Sequence, residues 1–426
     1  MAKTLEERST SVVTPALPKY GPSEMERGEG VHLFDLDGKR YIDFSAGIAV
    51  AGTGHCHPKI VKAAQLQTAK LIHACAHVSW YPGYIELAEK LAKIVPSLGM
   101  AYFGNSGTEA VEAAIKMARF VTGRPAIVAF QGSFHGRTLG AASLTGKSSL
   151  RRKYEPLLPA VYHAPYPTCF HCPSNQKRET CHLECFKNFE TLFKTVVHPQ
   201  DTAAVFIEPI LGEGGYYPAP DEFLLKLQSF CNKNGILIIV DEVQSGMGRT
   251  GKMFAWQHID GFQPDAMTLA KALGSGFPIS ALLGKPELMT KWEKGAHGST
   301  FGGNPVACAS ALATLDVIDE EGLIQNAVRI GEHIHNKLLS LQAEGLGIGD
   351  VRGKGMMLAI ELAQPDGSPD TDRAKNLIKS ALDAGLVLIG GGLYYNVIRI
   401  VPPLVMTIEQ ADEGLDILSA ALRKLA

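Results

Sequence analysis

Between residues 100 and 270 the chain returns again and again to one pattern: a short apolar run, then a glycine-bearing loop or a helical stretch. The runs are Ala101 to Phe103, Ala126 to Phe130, Ala203 to Ile207, Ile236 to Val240 and Ala266 to Leu269. Strands this uniformly apolar need cover on both faces. The alternation therefore predicts an α/β fold, an open and mainly parallel sheet with helices on each side.

The flanking segments differ in texture. Val31 to Phe34 and Tyr41 to Phe44 read as strands around Asp37-Gly38, a pair suited to the positive φ of a tight turn. Ile60 to His73 and Tyr84 to Ile94 carry helical apolar spacing. After about residue 312, Gly322 to Glu344 and Arg373 to Ala384 read as helices, and Met356 to Leu362, Val387 to Ile389 and Val397 to Ile400 as strands. Thr407-Ile408-Glu409-Gln410 fits a capping box that opens a last helix. No repeat, heptad or flexible linker interrupts this order. The two ends, residues 1–59 and 313–426, are expected to join into one small α+β domain around a large domain at 60–312.

Composition narrows the function classes. The 426 residues hold 41 Lys+Arg against 43 Asp+Glu, a net charge of −2, and no local basic cluster, which argues against a general nucleic-acid binder. The longest apolar stretches fall far short of the ~20 residues that span a bilayer. Met1 to Thr14 is polar, without the apolar core of an export signal, so a cytoplasmic protein with reduced thiols is expected.

In open α/β sheets ligands bind beyond the carboxyl ends of the strands. After Ala101 to Phe103 comes Gly104-Asn105-Ser106-Gly107-Thr108-Glu109, opening a helix. Small residues and hydroxyls at a helix N-terminus form a cup for phosphate; an ordinary N-cap is the other reading. The strand Ile236 to Val240 runs into Asp241-Glu242-Val243-Gln244. A carboxylate there needs a cation or strong donors, as part of an ion pair, a metal site or a cofactor contact. Ala266 to Leu269 runs into Ala270-Lys271. Burial lowers a lysine's pKa, a state that suits imine chemistry. Cup, buried carboxylate and lysine together meet the needs of pyridoxal phosphate.

The stretch Ile239-Val240-Asp241-Glu242-Val243-Gln244-Ser245-Gly246-Met247-Gly248-Arg249-Thr250-Gly251, followed by Thr268-Leu269-Ala270-Lys271, resembles the signature of the class III aminotransferases. The resemblance runs from about Asp35 to the C-terminus. It implies the pyridoxal-phosphate-dependent transferase fold of type I, with pyridoxal 5'-phosphate as cofactor. By that resemblance Lys271 forms the imine with the cofactor and then moves the substrate proton, and Asp241 keeps the pyridine nitrogen protonated. Gln244 stands near the phenolic oxygen, Phe134 stacks on the ring, and Ser106, Gly107 and Thr108 hold the phosphate. His135, Glu208 and Val243 complete the cofactor's surroundings. Thr300 matches a residue that reaches the phosphate of the neighbouring subunit, which implies a homodimer with a shared active site and leaves room for a tetramer.

The same resemblance assigns the substrate residues. Arg399, mid-strand among Val and Ile, is suited to two-point capture of a carboxylate. A donor without an α-carboxylate would leave that arginine unpaired, and Glu213 occupies the position of a gate that pairs with it in one half-reaction and releases it in the other. Arg137 would hold the distal carboxylate and Ile48 would form an apolar wall. The expected reaction is 4-aminobutyrate with 2-oxoglutarate, giving succinate semialdehyde and glutamate. Acetylornithine or ornithine transamination, and an amino-acid racemase or epimerase on the same scaffold, are the alternatives.

Other signals fall outside this chemistry, which needs no metal. Cys169-Phe170-His171-Cys172 and Cys181-His182-Leu183-Glu184-Cys185 have spacing suited to a structural zinc or iron–sulfur cluster, or to four free thiols packing a loop. His55-Cys56-His57 and His73-Ala74-Cys75-Ala76-His77 look similar; the second reads as packing on a helix. Gly140 to Gly146-Lys147-Ser148 has five residues between its glycines where a nucleotide-binding P-loop has four.

Overall fold

Each apolar run forms a strand, and alternate side chains along it enter two separate cores. Ile127 and Ala129 pack on one face with Val111, Ile115, Phe206 and Ile239, whereas Val128 and Phe130 pack on the other with Val205, Ile207 and Val240. Full burial of one such Ile, Val or Phe contributes about 1.5–3 kcal/mol. The computed structural model describes residues 4–425 apart from 18, 20, 23 and 173, so the first three residues of the polar N-terminal stretch lie outside it.

The central sheet has seven strands. In spatial order they are Met100–Gly104, Ser280–Gly284, Ala266–Leu269, Leu237–Asp241, Thr202–Ile207, Ala126–Phe130 and Val161–Ala164. Ser280–Gly284 lies antiparallel to both neighbours, and every other adjacent pair is parallel. Ser280–Gly284 and Val161–Ala164 were not expected. Small residues dilute the first run, and a half-buried edge position leaves His163 in the second. The helix Gly107–Thr122 packs a face of alanines onto the sheet and ends at Gly123, whose φ of 66° suits a left-handed cap.

The two chain ends meet in one four-stranded sheet, where Leu386–Val387 lies parallel to Arg40–Asp43. A second four-stranded sheet joins Ile348–Lys354, Met357–Leu362, Val397–Ile400 and Ile389–Gly391. The run expected as one strand at Val387 to Ile389 is thus divided between the two sheets. The last helix, Ile408–Lys424, opens with the capping box of Thr407 and Gln410. Among the described residues, no helix is long and apolar enough to cross a membrane.

One expectation is corrected. The helix Pro58–Lys70 stops before His73, and the segment to His77 is loop rather than helix. Tertiary contacts override the helical spacing there: the His73 ring lies 5.2 Å from that of Phe301, and His77 Nε2 accepts from Ser299 N at 3.3 Å.

Candidate active site

Because parallel strands end at the same edge, the residues that follow them collect there. Ser106, Gly107 and Thr108, then Phe134, His135 and Arg137, then Glu208 and Glu213, then Asp241, Val243 and Gln244, and finally Lys271 line one cavity of about 420 Å³. Arg399 is buried directly behind Glu213, its Nη1 at 2.8 Å from Glu213 Oε1. Two expected residues stand apart in the single chain. Thr300 is exposed, and Ile48, 36% exposed, lies outside the lining of this cavity, which includes Val50. Sequence reasoning missed Val50 and the loop Gly276-Phe277-Pro278-Ile279. That loop closes the cavity just after Lys271, so proximity to the lysine was the available signal.

The cup is built from local bonds. Ser106 Oγ and Asn105 Nδ2 donate to the Glu109 carboxylate at 3.2 and 2.9 Å, so Ser106 does not cap its own helix. The first N–H groups of that helix have no intrahelical acceptor, which leaves them for an anion. Thr108 Oγ1 meets Thr138 Oγ1 at 2.7 Å across the mouth.

Three buried acids lie at the strand ends here, Asp241 and Glu208 in the cavity wall and Glu242 next to Asp241 in the chain. Asp241 Oδ2 is 2.7 Å from His135 Nδ1, and its Oδ1 accepts from Val243 N at 3.0 Å. Burial disfavours the charged imidazole, yet the bond to Asp241 prevails and raises the pKa of His135. Glu208 accepts from Phe134 N and Gly212 N, both at 3.0 Å, and so fixes the aromatic ring's backbone; burial pushes its carboxyl up to about 7. Glu242 is raised to about 7 by burial as well, and accepts from Ser245 Oγ at 2.6 Å and Trp256 N at 2.8 Å.

Backbone strain at Lys271 and at the turn 46–49 bears on the site. Lys271 sits at φ 45°, which costs a non-glycine residue about 1–2 kcal/mol. Burial lowers its pKa, bringing the neutral amine that imine formation requires closer to neutral pH. Ala46, Gly47, Ile48 and Ala49 form a left-handed turn with φ of 46 to 64°. Asp43 holds it, since its buried Oδ1 accepts from Ser45 N, Ser45 Oγ and Ala46 N at 2.7, 2.6 and 3.1 Å, and its Oδ2 pairs with His55 at 2.8 Å.

The gate pair is asymmetric. Arg399, 3% exposed, also donates from Nε and Nη2 to Gly390 O at 3.0 and 2.8 Å. Burial pushes the Glu213 carboxyl up, but the charge and hydrogen bond of Arg399 outweigh it and hold the pKa below the usual carboxylate range.

The insertion cysteines Cys169, Cys172, Cys181 and Cys185 line a separate cavity of only about 20 Å³. Among the described residues, no group of three or more His, Cys, Asp and Glu side chains is placed to hold a metal ion. All eight cysteines are free thiols.

The cavity fits a pyridoxal group. Gln244 Oε1 is buried with no protein partner among the described residues, as is Nε2 of His135, and both residues line the cavity. With a helix N-terminus and a lysine of lowered pKa lining the same cavity, the arrangement is that of a pyridoxal-phosphate-dependent enzyme. Comparison with known proteins narrows the class. The family model for class III aminotransferases matches residues 18–422, and the chain belongs to that family. It is 41% identical to the 5-aminovalerate aminotransferase of Pseudomonas aeruginosa, covering 100% of each chain. It is 39% identical to the 4-aminobutyrate aminotransferase of Escherichia coli (98% of this chain, 97% of that one). It is also 41% identical to the isoleucine 2-epimerase of Lentilactobacillus buchneri (99% and 94%). Among solved structures, an amine transaminase from an uncultivated Pseudomonas species in its pyridoxal-phosphate-bound form superposes with a TM-score of 0.90 at 27% identity, over 100% of this chain and 99% of that one. The protein is therefore an aminotransferase with pyridoxal 5'-phosphate as its cofactor.

Proposed function

We propose that the enzyme transfers the amino group of 4-aminobutyrate to 2-oxoglutarate, yielding succinate semialdehyde and glutamate. The observation that carries this reading is the 2.8 Å pair of Glu213 with Arg399. 4-Aminobutyrate has no carboxylate on its amine-bearing carbon, and with Glu213 in place Arg399 does not face it as an unpaired buried cation. Glutamate does carry that carboxylate. When it binds, Arg399 takes it in two-point fashion and Glu213 is released. One cavity thus accepts both partners of the exchange.

When bound, pyridoxal phosphate would supply a carrier for the amino group and a sink for the electron pair left when the substrate carbon loses its proton. The chain's own residues do the rest. Ser106, Gly107 and Thr108 would hold the phosphate, Phe134 would cover the ring, and Asp241, oriented by His135, would keep a proton on the ring nitrogen. Gln244 would stand near the phenolic oxygen, with Val243 and Glu208 completing the surroundings. Lys271 Nζ moves the proton at the substrate carbon. Arg137 would bind the distal carboxylate at the cavity mouth.

We also read the enzyme as a cytoplasmic homodimer whose partner supplies Thr300. Supporting this, Ile72, Val78, Trp80 and Phe301 expose large apolar surfaces around the packed loops at 72–80 and 299–301. The shared sheet of the chain ends supports a small domain of residues 1–59 and 313–426 around a large one at 60–312.

A donor panel tests the assignment. Purified enzyme is given 2-oxoglutarate with 4-aminobutyrate, 5-aminovalerate, N-acetylornithine or ornithine, and L-isoleucine is followed separately for loss of optical purity. The reading requires the highest kcat/KM with 4-aminobutyrate. Preference for N-acetylornithine or ornithine, or epimerisation of isoleucine without semialdehyde, overturns it.

A further inference from the structure

The segment Gly146-Lys147, one residue away from a phosphate-binding spacing in the sequence, lies against the gate in the fold. Lys147 is half-buried. Its Nζ donates to Gly392 O at 2.9 Å and lies 3.5 Å from the centre of the Tyr395 ring. Gly392 N in turn donates to Glu213 O at 2.9 Å. A lysine free to extend into water keeps its hydration and rotamer freedom, and this one is instead held beside the backbone of the gating residue.

The released state of the gate poses a physical problem. Once an α-carboxylate occupies Arg399, Glu213 loses its partner, and a carboxylate left alone in a partly buried site is costly. Three cations act on Glu213: Arg399, Lys271 and Lys147. Arg399 is then taken by substrate and Lys271 works at the reacting carbon. Lys147 remains.

We propose that Lys147 is the second station of the gate, pairing with Glu213 whenever glutamate or 2-oxoglutarate occupies Arg399. The proposal rests on the two-state gate described above. In the exchange Lys147 gives up a bond to a neutral carbonyl and gains one to a carboxylate, in which both partners are charged, while Gly392 keeps the Glu213 backbone in place. Lys147 is thereby a positioning residue that sets dual specificity by stabilising the open gate.

The test uses holoenzyme in single-turnover half-reactions, following cofactor absorbance with L-glutamate or 4-aminobutyrate as donor. Lys147→Met is expected to lower kcat/KM for glutamate at least tenfold more than for 4-aminobutyrate, mainly through KM, and Lys147→Arg restores the ratio. In a Glu213→Gln background, where no gate charge needs a second station, Lys147→Met adds less than a twofold change in that ratio. Equal losses on both donors, or an undiminished effect in the Glu213→Gln background, overturn the proposal. A wild-type enzyme that uses glutamate but not 4-aminobutyrate overturns the donor assignment instead. The cycle is then read on glutamate alone, where Lys147→Met must still raise KM and Glu213→Gln must still abolish that rise.

Discussion

Glu213→Gln isolates the charge of the gate while nearly preserving its shape. Arg399 is 3% exposed, and breaking a buried ion pair by removing one partner costs about 3–5 kcal/mol. Part of that is kept here, because the amide oxygen can still accept and the two bonds to Gly390 O persist. A net penalty of about 2–3 kcal/mol then falls on every state in which Arg399 lacks a carboxylate. 4-Aminobutyrate binds in such a state and glutamate does not, since its α-carboxylate replaces the missing charge. The ratio of kcat/KM for 4-aminobutyrate to that for glutamate should therefore fall by roughly 30- to 150-fold. Half-reactions of the holoenzyme followed by cofactor absorbance measure both constants on one preparation. A ratio that stays within threefold of wild type, or that rises, would mean that Glu213 does not neutralise Arg399 while 4-aminobutyrate is bound.

Other expected outcomes follow from the same geometry. Lys271→Ala should lower transamination at least roughly a thousandfold, with the unfolding midpoint of the apoenzyme moving little; retained turnover in a rate assay would contradict its role. Glu208 has its carboxyl raised to about 7 by burial, so it contributes a penalty absent below the unfolded value and complete above about pH 7. Glu208→Gln should thus gain stability relative to wild type between pH 5 and 8, by about 3 kcal/mol at most, in denaturant titrations of the apoenzyme. Phe130, fully buried beside Phe189, Tyr166 and Phe223, should cost about 3–5 kcal/mol when replaced by alanine, read as a lower denaturant midpoint.

Much of this was legible in the sequence because the physics was local. The five apolar runs became strands, and Asp241 and Lys271 lay at strand ends, where parallel topology brings loops together. The gate was different. Glu213 and Arg399 are 186 residues apart, and only resemblance to a family could pair them before the fold did. Lys147 stands in the sequence only beside a motif it does not complete, since nothing near it in the chain indicates Gly392 or Tyr395. The left-handed turn at 46–49 was hidden for a stronger reason. Alanine and isoleucine disfavour positive φ, and what enforces it is Asp43 acting through three hydrogen bonds. The residues at 73–77 left their helix for contacts with Ser299 and Phe301, more than 200 positions away.

Dual specificity for 4-aminobutyrate and 2-oxoglutarate is tested by a single cycle on one preparation of holoenzyme. 4-Aminobutyrate is added without any acceptor, and cofactor absorbance and succinate semialdehyde are followed together. 2-Oxoglutarate is then added. The expected outcome is about one equivalent of semialdehyde per active site as the cofactor is converted, then one equivalent of glutamate as its absorbance returns. No semialdehyde in the first step, or a converted cofactor that 2-oxoglutarate fails to restore, would contradict it.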